Sequence, residues 1–142
     1  MTGDWTLAIE ALHSARENTL TVCRDGKLSV STQRGIKPLL ELTESDEDLH
    51  GACAADRIVG KAAAMLYVLL GVKAVYAEVL SKTARDIFDE NHIEYRYETL
   101  TDRIINRMGT GLCPMEEAVK ETDEPHAALT AIRNKIAEMR KE

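Results

Sequence analysis

The feature that most constrains this chain is the succession "VKAVYAEVL", "SKTARDIFDEN", "IEYRYETL" over residues 72–100. The first stretch is a near-continuous β-prone run, the pattern of a strand covered on both faces. The second reads as a helix with Ser81 as its cap, and the third alternates as a further strand. A strand, a helix and a strand in succession make a crossover between parallel neighbours, with the helix on one face of the sheet. A strand buried on both faces then requires helices on the other face as well.

The remaining segments supply those layers. After Asp4 as a cap, Trp5, Ala8, Ile9, Leu12 and Ala15 recur at helical spacing and predict an opening helix that ends near Asn18. "LTVCRDGKLSVS" alternates on both sides of Asp25-Gly26, the signal of a hairpin. A two-residue turn would put Leu20 and Val22 on one face and Leu28 and Val30 on the other. A three-residue turn with Gly26 left-handed puts all four together and is the preferred reading. "QRGIKPLLELTESDEDLHGA" reads as a loop with one short apolar turn and an acidic exposed stretch from Glu44 to Asp48.

"CAADRIVGKAAAMLYVLLG" reads as the strongest helix, stopped by Gly71. On such a helix Asp56, Arg57, Gly60, Lys61, Ala64 and Tyr67 share one stripe and the rest is apolar and mostly buried. "TDRIINRM" reads as a helix or turn leading to a glycine pair. Pro114 then opens a helix with Cys113 at its cap and Glu116 three residues on, as in a capping box. A final helix starts near Asp123 and Pro125, and its stripe of Leu129, Ile132, Ile136 and Met139 could dock on the sheet or on another subunit. The order implies an α/β class: a three-layer helix-sheet-helix sandwich with a mixed sheet and an antiparallel hairpin.

At 142 residues the chain has the length of a single domain, 1–142, able to form a core without disulfides or metal. A formal charge of -6 argues against nucleic acid as a partner, since phosphate binding needs clustered Lys and Arg. The longest apolar run, "AAAMLYVLLGV", is too short for a membrane span, and no export signal opens the chain. Three cysteines at unrelated spacings suit a reducing, cytoplasmic setting.

Four strings, "GIKPLLEL", "ADRIVGKAAA", "VYAEVLS" and "IINRMGTGLCPMEEAV", resemble an uncharacterised prokaryotic family that is known only as a domain of unknown function. That resemblance implies a cytidine-deaminase-like fold. The zinc deaminases of the fold carry a His or Cys, one residue and a Glu at the start of the central helix, and Pro-Cys-x-x-Cys at the start of the next. Here the first place reads "CAADR", where Cys53 and Asp56 form a displaced version, and the second reads "SKTAR", with no cysteine. A four-ligand zinc site cannot be built from these positions, so no metal and no cofactor is implied.

The candidate residues follow. Cys113 at a Pro-led helix start, behind two glycines, is read as an activated thiol and candidate nucleophile; a small buried hydrophobe is the alternative. Asp56 is a candidate general acid or base, or a first-turn carboxylate favoured by the helix dipole. Lys61, with Arg57 four residues earlier, is an amine aimed into a cleft or a lysine reaching solvent. Ser81 caps a helix at the sheet edge where ligands of open α/β sheets bind. Asn106, Arg107 and Glu116 are candidate ligand contacts, the first two with a loop-fastening role as the alternative. "ADRIVGKAA" is not a phosphate-binding loop, because Ala55 and Ala62 stand at its Gly and Ser/Thr positions. The four histidines show no paired spacing.

The first functional reading is a zinc-independent small-molecule site at the start of the central helix, with a nucleoside- or nucleotide-like ligand by fold analogy. It leaves open whether the domain is catalytic. The alternative is a non-catalytic regulatory or interaction domain that self-associates, and a degenerate zinc deaminase using Cys53 is a third.

Overall fold

The computed structural model describes residues 3–106 and 108–140. Five strands form one mixed sheet: β1 (Leu20–Arg24), β2 (Lys27–Ser31), β3 (Cys53–Val59), β4 (Ala74–Ser81) and β5 (Glu94–Thr101), in the order β2-β1-β3-β4-β5. β1 runs antiparallel to both β2 and β3, whereas β3, β4 and β5 are parallel. The helices are α1 (Gly3–His13), α2 (Lys37–Glu44), α3 (Lys61–Leu70), α4 (Lys82–Glu90), α5 (Pro114–Val119) and α6 (Pro125–Arg140).

Burial falls into two clusters, one on each face of the sheet. The larger joins Val22, Ala54, Val75 and Leu80 to α2, α3, α4, α5 and α6, with Tyr67 and Phe88 among its fully buried side chains. In the smaller, Trp5, Ala8 and Leu12 of α1 cover Cys23, Cys53, Ala55, Ala74 and Tyr76. Successive strand residues point to opposite faces, so small residues at 53–55 let a helix approach from each side.

The expected helix over residues 53–71 is two elements. Its first seven residues form β3, Gly60 breaks the chain, and only Lys61–Leu70 is helical. Alanine favours helix, but burial between two helical layers overrides local propensity here. Asp56 and Arg57 therefore share no helical stripe with Lys61 and Tyr67. The hairpin also differs from the preferred reading, because Arg24 pairs with Lys27 across a two-residue turn. Asp25 and Gly26 both take positive φ, 52° and 81°, as a type I′ turn requires. Leu28 and Val30 consequently lie on the α1 face of an edge strand, largely exposed.

The apolar turn after Gly35 extends to the two-turn helix α2. The 102–113 segment carries no helix among its described residues and folds back on itself through a β-bridge of Ile105 to Leu112 and neighbouring hydrogen bonds. The stripe on α6 docks on helices rather than on the sheet: Ala128 and Ile132 are buried, Leu129 and Ile136 pack beside them, and Met139 stays exposed. No helix among the described residues is long and apolar enough to cross a membrane.

Candidate functional site

Ligands of open α/β sheets bind outside the carboxyl ends of the parallel strands, near the point where the strand order reverses. In this chain the strand order turns between β1 and β3, so that point is the carboxyl edge of β3, where β1 begins alongside and β4 follows. On the α3 side the edge is closed. The first amides of α3 have no local cap, because Gly60 lacks a side chain. Glu116 of α5 supplies the acceptor: Lys61 N–H donates to its Oε1 at 2.7 Å and Ala62 N–H to its Oε2 at 2.8 Å. The carboxylate takes the place that an anion would hold at a helix N-terminus. A Cβ on residue 60 would collide with Glu116 Oε1 and Cδ and with Ile104 Cγ1, so this contact admits only glycine.

Asp56 lies just inside the same edge. Its Oδ2 accepts from the Tyr67 hydroxyl at 2.7 Å and its Oδ1 from the Arg57 N–H at 2.8 Å. Burial pushes the Asp56 carboxyl up to about 6, with the Tyr67 and backbone hydrogen bonds acting in the opposite direction. The Tyr67 phenol is raised well above its ordinary range by burial and by the Asp56 charge. The carboxyl and hydroxyl thus hold a proton between a strand and a helix.

On the α1 side the edge is open. Arg57 spreads its guanidinium across it: Nε donates to Asn18 O at 2.9 Å, Nη1 to Glu78 Oε2 at 2.7 Å, and Nη2 to Leu12 O at 2.9 Å and Ala15 O at 3.2 Å. These bonds satisfy one carbonyl of the last turn of α1 and two of the segment that follows it, and fix the end of that helix to β3 and β4. His13 Nε2 lies 3.5 Å from the same Glu78 oxygen and 3.4 Å from the Tyr76 hydroxyl. Around them is a pocket of about 380 Å³ lined by His13, Arg16, Asn18, Thr19, Arg57 and Glu78, with Ala15 at its wall. Arg16 pairs with no described residue, and His13 and Glu78 are each partly exposed.

The chain's residues 8–136 match the family model described as TM1506, domain of unknown function (DUF1893). The chain belongs to the DUF1893 family. A solved structure is similar: a DUF1893 protein, TM1506, from Thermotoga maritima, 24% identical, with a TM-score of 0.81 over 97% of this chain and 92% of that one. No curated protein matches the chain.

In this DUF1893 chain the expected site residues are distributed as follows. Lys61 and Glu116 meet, though through the Lys61 backbone. The Lys61 ammonium turns away to Lys120 O and Asp123 Oδ1, each at 3.3 Å. Cys113 stands at the cap of α5, partly exposed, with no side-chain cap bond, and its N–H donates to Ile104 O at 3.0 Å. Glu116 makes no capping box with it, being drawn to α3 instead. Among the described residues no hydrogen bond or ion pair joins any two of Asp56, Lys61 and Cys113. Ser81 is buried and caps α4, accepting from Ala84 N–H at 3.1 Å. Asn106 fastens its loop, its Oδ1 accepting from Thr110 N–H at 3.1 Å. Arg107 lies outside the described residues. Of the expected set, only Arg57 lines the open pocket.

The positions matched with zinc-ligand sites are also redefined in this DUF1893 chain. "CAADR" lies within β3, and the two helix starts at the carboxyl edge read Gly60-Lys61 and Ser81-Lys82. Sequence reasoning missed His13, Arg16 and Glu78. A signal existed for Glu78 alone: a carboxylate inside an otherwise buried strand needs a partner, and Arg57 provides it.

Proposed function

We propose that this domain binds a small anionic molecule at the carboxyl edge of β3 and β4, on the α1 side of the sheet. The observation that carries this reading is the polar pocket of about 380 Å³ at the strand-reversal point, where Arg16 is unpaired among the described residues and His13 and Glu78 are partly exposed. Arg57 spends four of its five N–H donors on protein acceptors and acts as a positioning group. Arg16, with His13 when protonated, attracts a phosphate or carboxylate, and Glu78 accepts from a hydroxyl or amine on the same molecule. A nucleotide meets both demands, in keeping with the cytidine-deaminase-like fold that the sequence resemblance implies. Support for binding without zinc comes from the side chains at the two helix starts, which include no thiolate or imidazole.

The test is titration with nucleoside monophosphates, and with inorganic phosphate as the minimal anion, followed by amide NMR shifts. The expected result is saturable shifts centred on residues 13–19, 57 and 78, with affinity reduced about tenfold in Arg16→Ala, the loss of one charge-assisted bond. Shifts confined to the start of α3, or none at millimolar ligand, would overturn the reading.

A further inference from the structure

Cys23 and Cys53 stand directly opposite one another in the β1 and β3 register, on the α1 face, and both are fully buried. The hairpin sets their hydrogen-bond phase. Arg24 and Lys27 flank the two-residue turn as a bonded pair, so Arg24 and Val22 turn their backbone groups towards β2, and Cys23 turns its own towards β3. Cys23 and Cys53 are thus a hydrogen-bonded cross-strand pair, whose Cα atoms lie about 5.5 Å apart. A disulfide spans Cα separations of about 4.4–6.8 Å. The pocket described above uses neither thiol.

Every helical member of the cluster over this pair comes from α1. Asp4 anchors the start of that helix, its carboxylate accepting from Asp25 N–H at 2.8 Å and Gly26 N–H at 2.9 Å. The same carboxylate accepts from Cys23 Sγ at 3.6 Å. Burial, then the Asp4 charge and hydrogen bond, push the Cys23 thiol up, so docked α1 keeps Cys23 an unreactive thiol and covers Cys53 beside it.

We propose that Cys23 and Cys53 are a redox-active dithiol, converted by a peroxide to a reversible disulfide across β1 and β3 when α1 lifts. One sulfur attacks a hydrogen peroxide oxygen, breaking the O–O bond to give a sulfenic acid and one water. The second sulfur displaces the sulfenic hydroxyl as another water, so two thiols and one peroxide yield one disulfide and two waters. Opposed Cβ atoms in a sheet lie about 4.5–5.5 Å apart, against about 3.5–4.5 Å in a disulfide. The strands must be drawn together, which makes the bond easy for a thiol reductant to reopen.

The test treats the reduced, folded full chain with hydrogen peroxide, quenches with N-ethylmaleimide and maps peptides by mass spectrometry without reduction. The expected product is a Cys23–Cys53 link, with the chain lighter by two hydrogens, reversed by dithiothreitol. It forms equally in Cys113→Ser, where these two are the remaining thiols. Asp4→Ala, which releases the start of α1, speeds linkage by roughly five- to thirtyfold, as loss of its hydrogen bonds implies. Cys23 and Cys53 persisting as thiols while Cys113 oxidises, or turning to sulfinic acids without linking, would overturn the proposal. A linkage rate unchanged in a folded Asp4→Ala chain would overturn the role of α1, and the Cys113→Ser result tests the pair even where Asp4→Ala fails to fold.

Discussion

Asp56 makes this fold less stable as pH rises, and Asp56→Asn isolates the effect. The folded carboxyl titrates at about 6 against an ordinary 3.8, chiefly because burial disfavours its charged form. A group raised on folding binds its proton more tightly in the native chain. Its stabilising contribution is complete below about pH 4 and is lost as pH climbs through about 6. A rise of that size corresponds to about 3 kcal/mol between the two limits. Asn keeps an acceptor for the Arg57 N–H and offers a donor to the Tyr67 oxygen, but carries no charge to desolvate. Urea unfolding followed by the fluorescence of Trp5, the single tryptophan, gives the free energy of each protein from pH 3.5 to 8. Asp4, Asp102 and Glu124, whose carboxyls are held low by hydrogen bonds, impose the opposite slope at acid pH in both chains and cancel in the difference. The expected difference shifts in favour of Asn by about 3 kcal/mol across the range, with its midpoint between pH 4 and 6. Curves that stay parallel, or an Asn chain that loses ground as pH rises, would refute the burial argument.

Three further outcomes follow from the packing. Glu116→Ala leaves two amides of α3 uncapped and costs about 1–2 kcal/mol in chemical denaturation; Gly60→Ala is less damaging in that background than in the parent, because the clash with the Glu116 carboxylate is gone and only that with Ile104 remains. Arg57→Met removes the donor of the Leu12, Ala15 and Asn18 carbonyls at and after the end of α1 and costs about 2 kcal/mol, read as faster amide hydrogen exchange in residues 8–15 than in α4. Deleting the chain from Asp123 onward removes Ala128 and Ile132 from the core, and light scattering should show association of the truncated protein.

The crossover β4-α4-β5 is legible in the sequence because each local signal agrees with the fold. The apolar run is buried on both faces, Ser81 caps α4, and the alternation of "IEYRYETL" suits an edge strand. β3 is not legible. Its Cys-Ala-Ala start has helix-favouring alanines and small volumes whose value appears only once two helical layers close on them. Asp56 and Tyr67 were expected on one stripe of a single helix; they meet instead from a strand and a helix. The Glu116 contact has no local signal at all, since its partner amides lie 55 and 54 residues away, and the α1 pocket depends on the turn of a helix end that no spacing rule reports.

That remote cap has a kinetic consequence. A helix finished by a Ser or Asp at its own start can complete itself as soon as it nucleates. Here α3 must wait for residues after β5 to arrive, so its first turn matures only when a long loop has closed. Glu116 should therefore contribute little to the rate-limiting barrier of folding and much to the barrier against unfolding. In a chevron plot Glu116→Ala should raise the unfolding arm and leave the folding arm nearly in place. A chain emerging from the ribosome would carry its central helix with a frayed beginning until its last quarter is made.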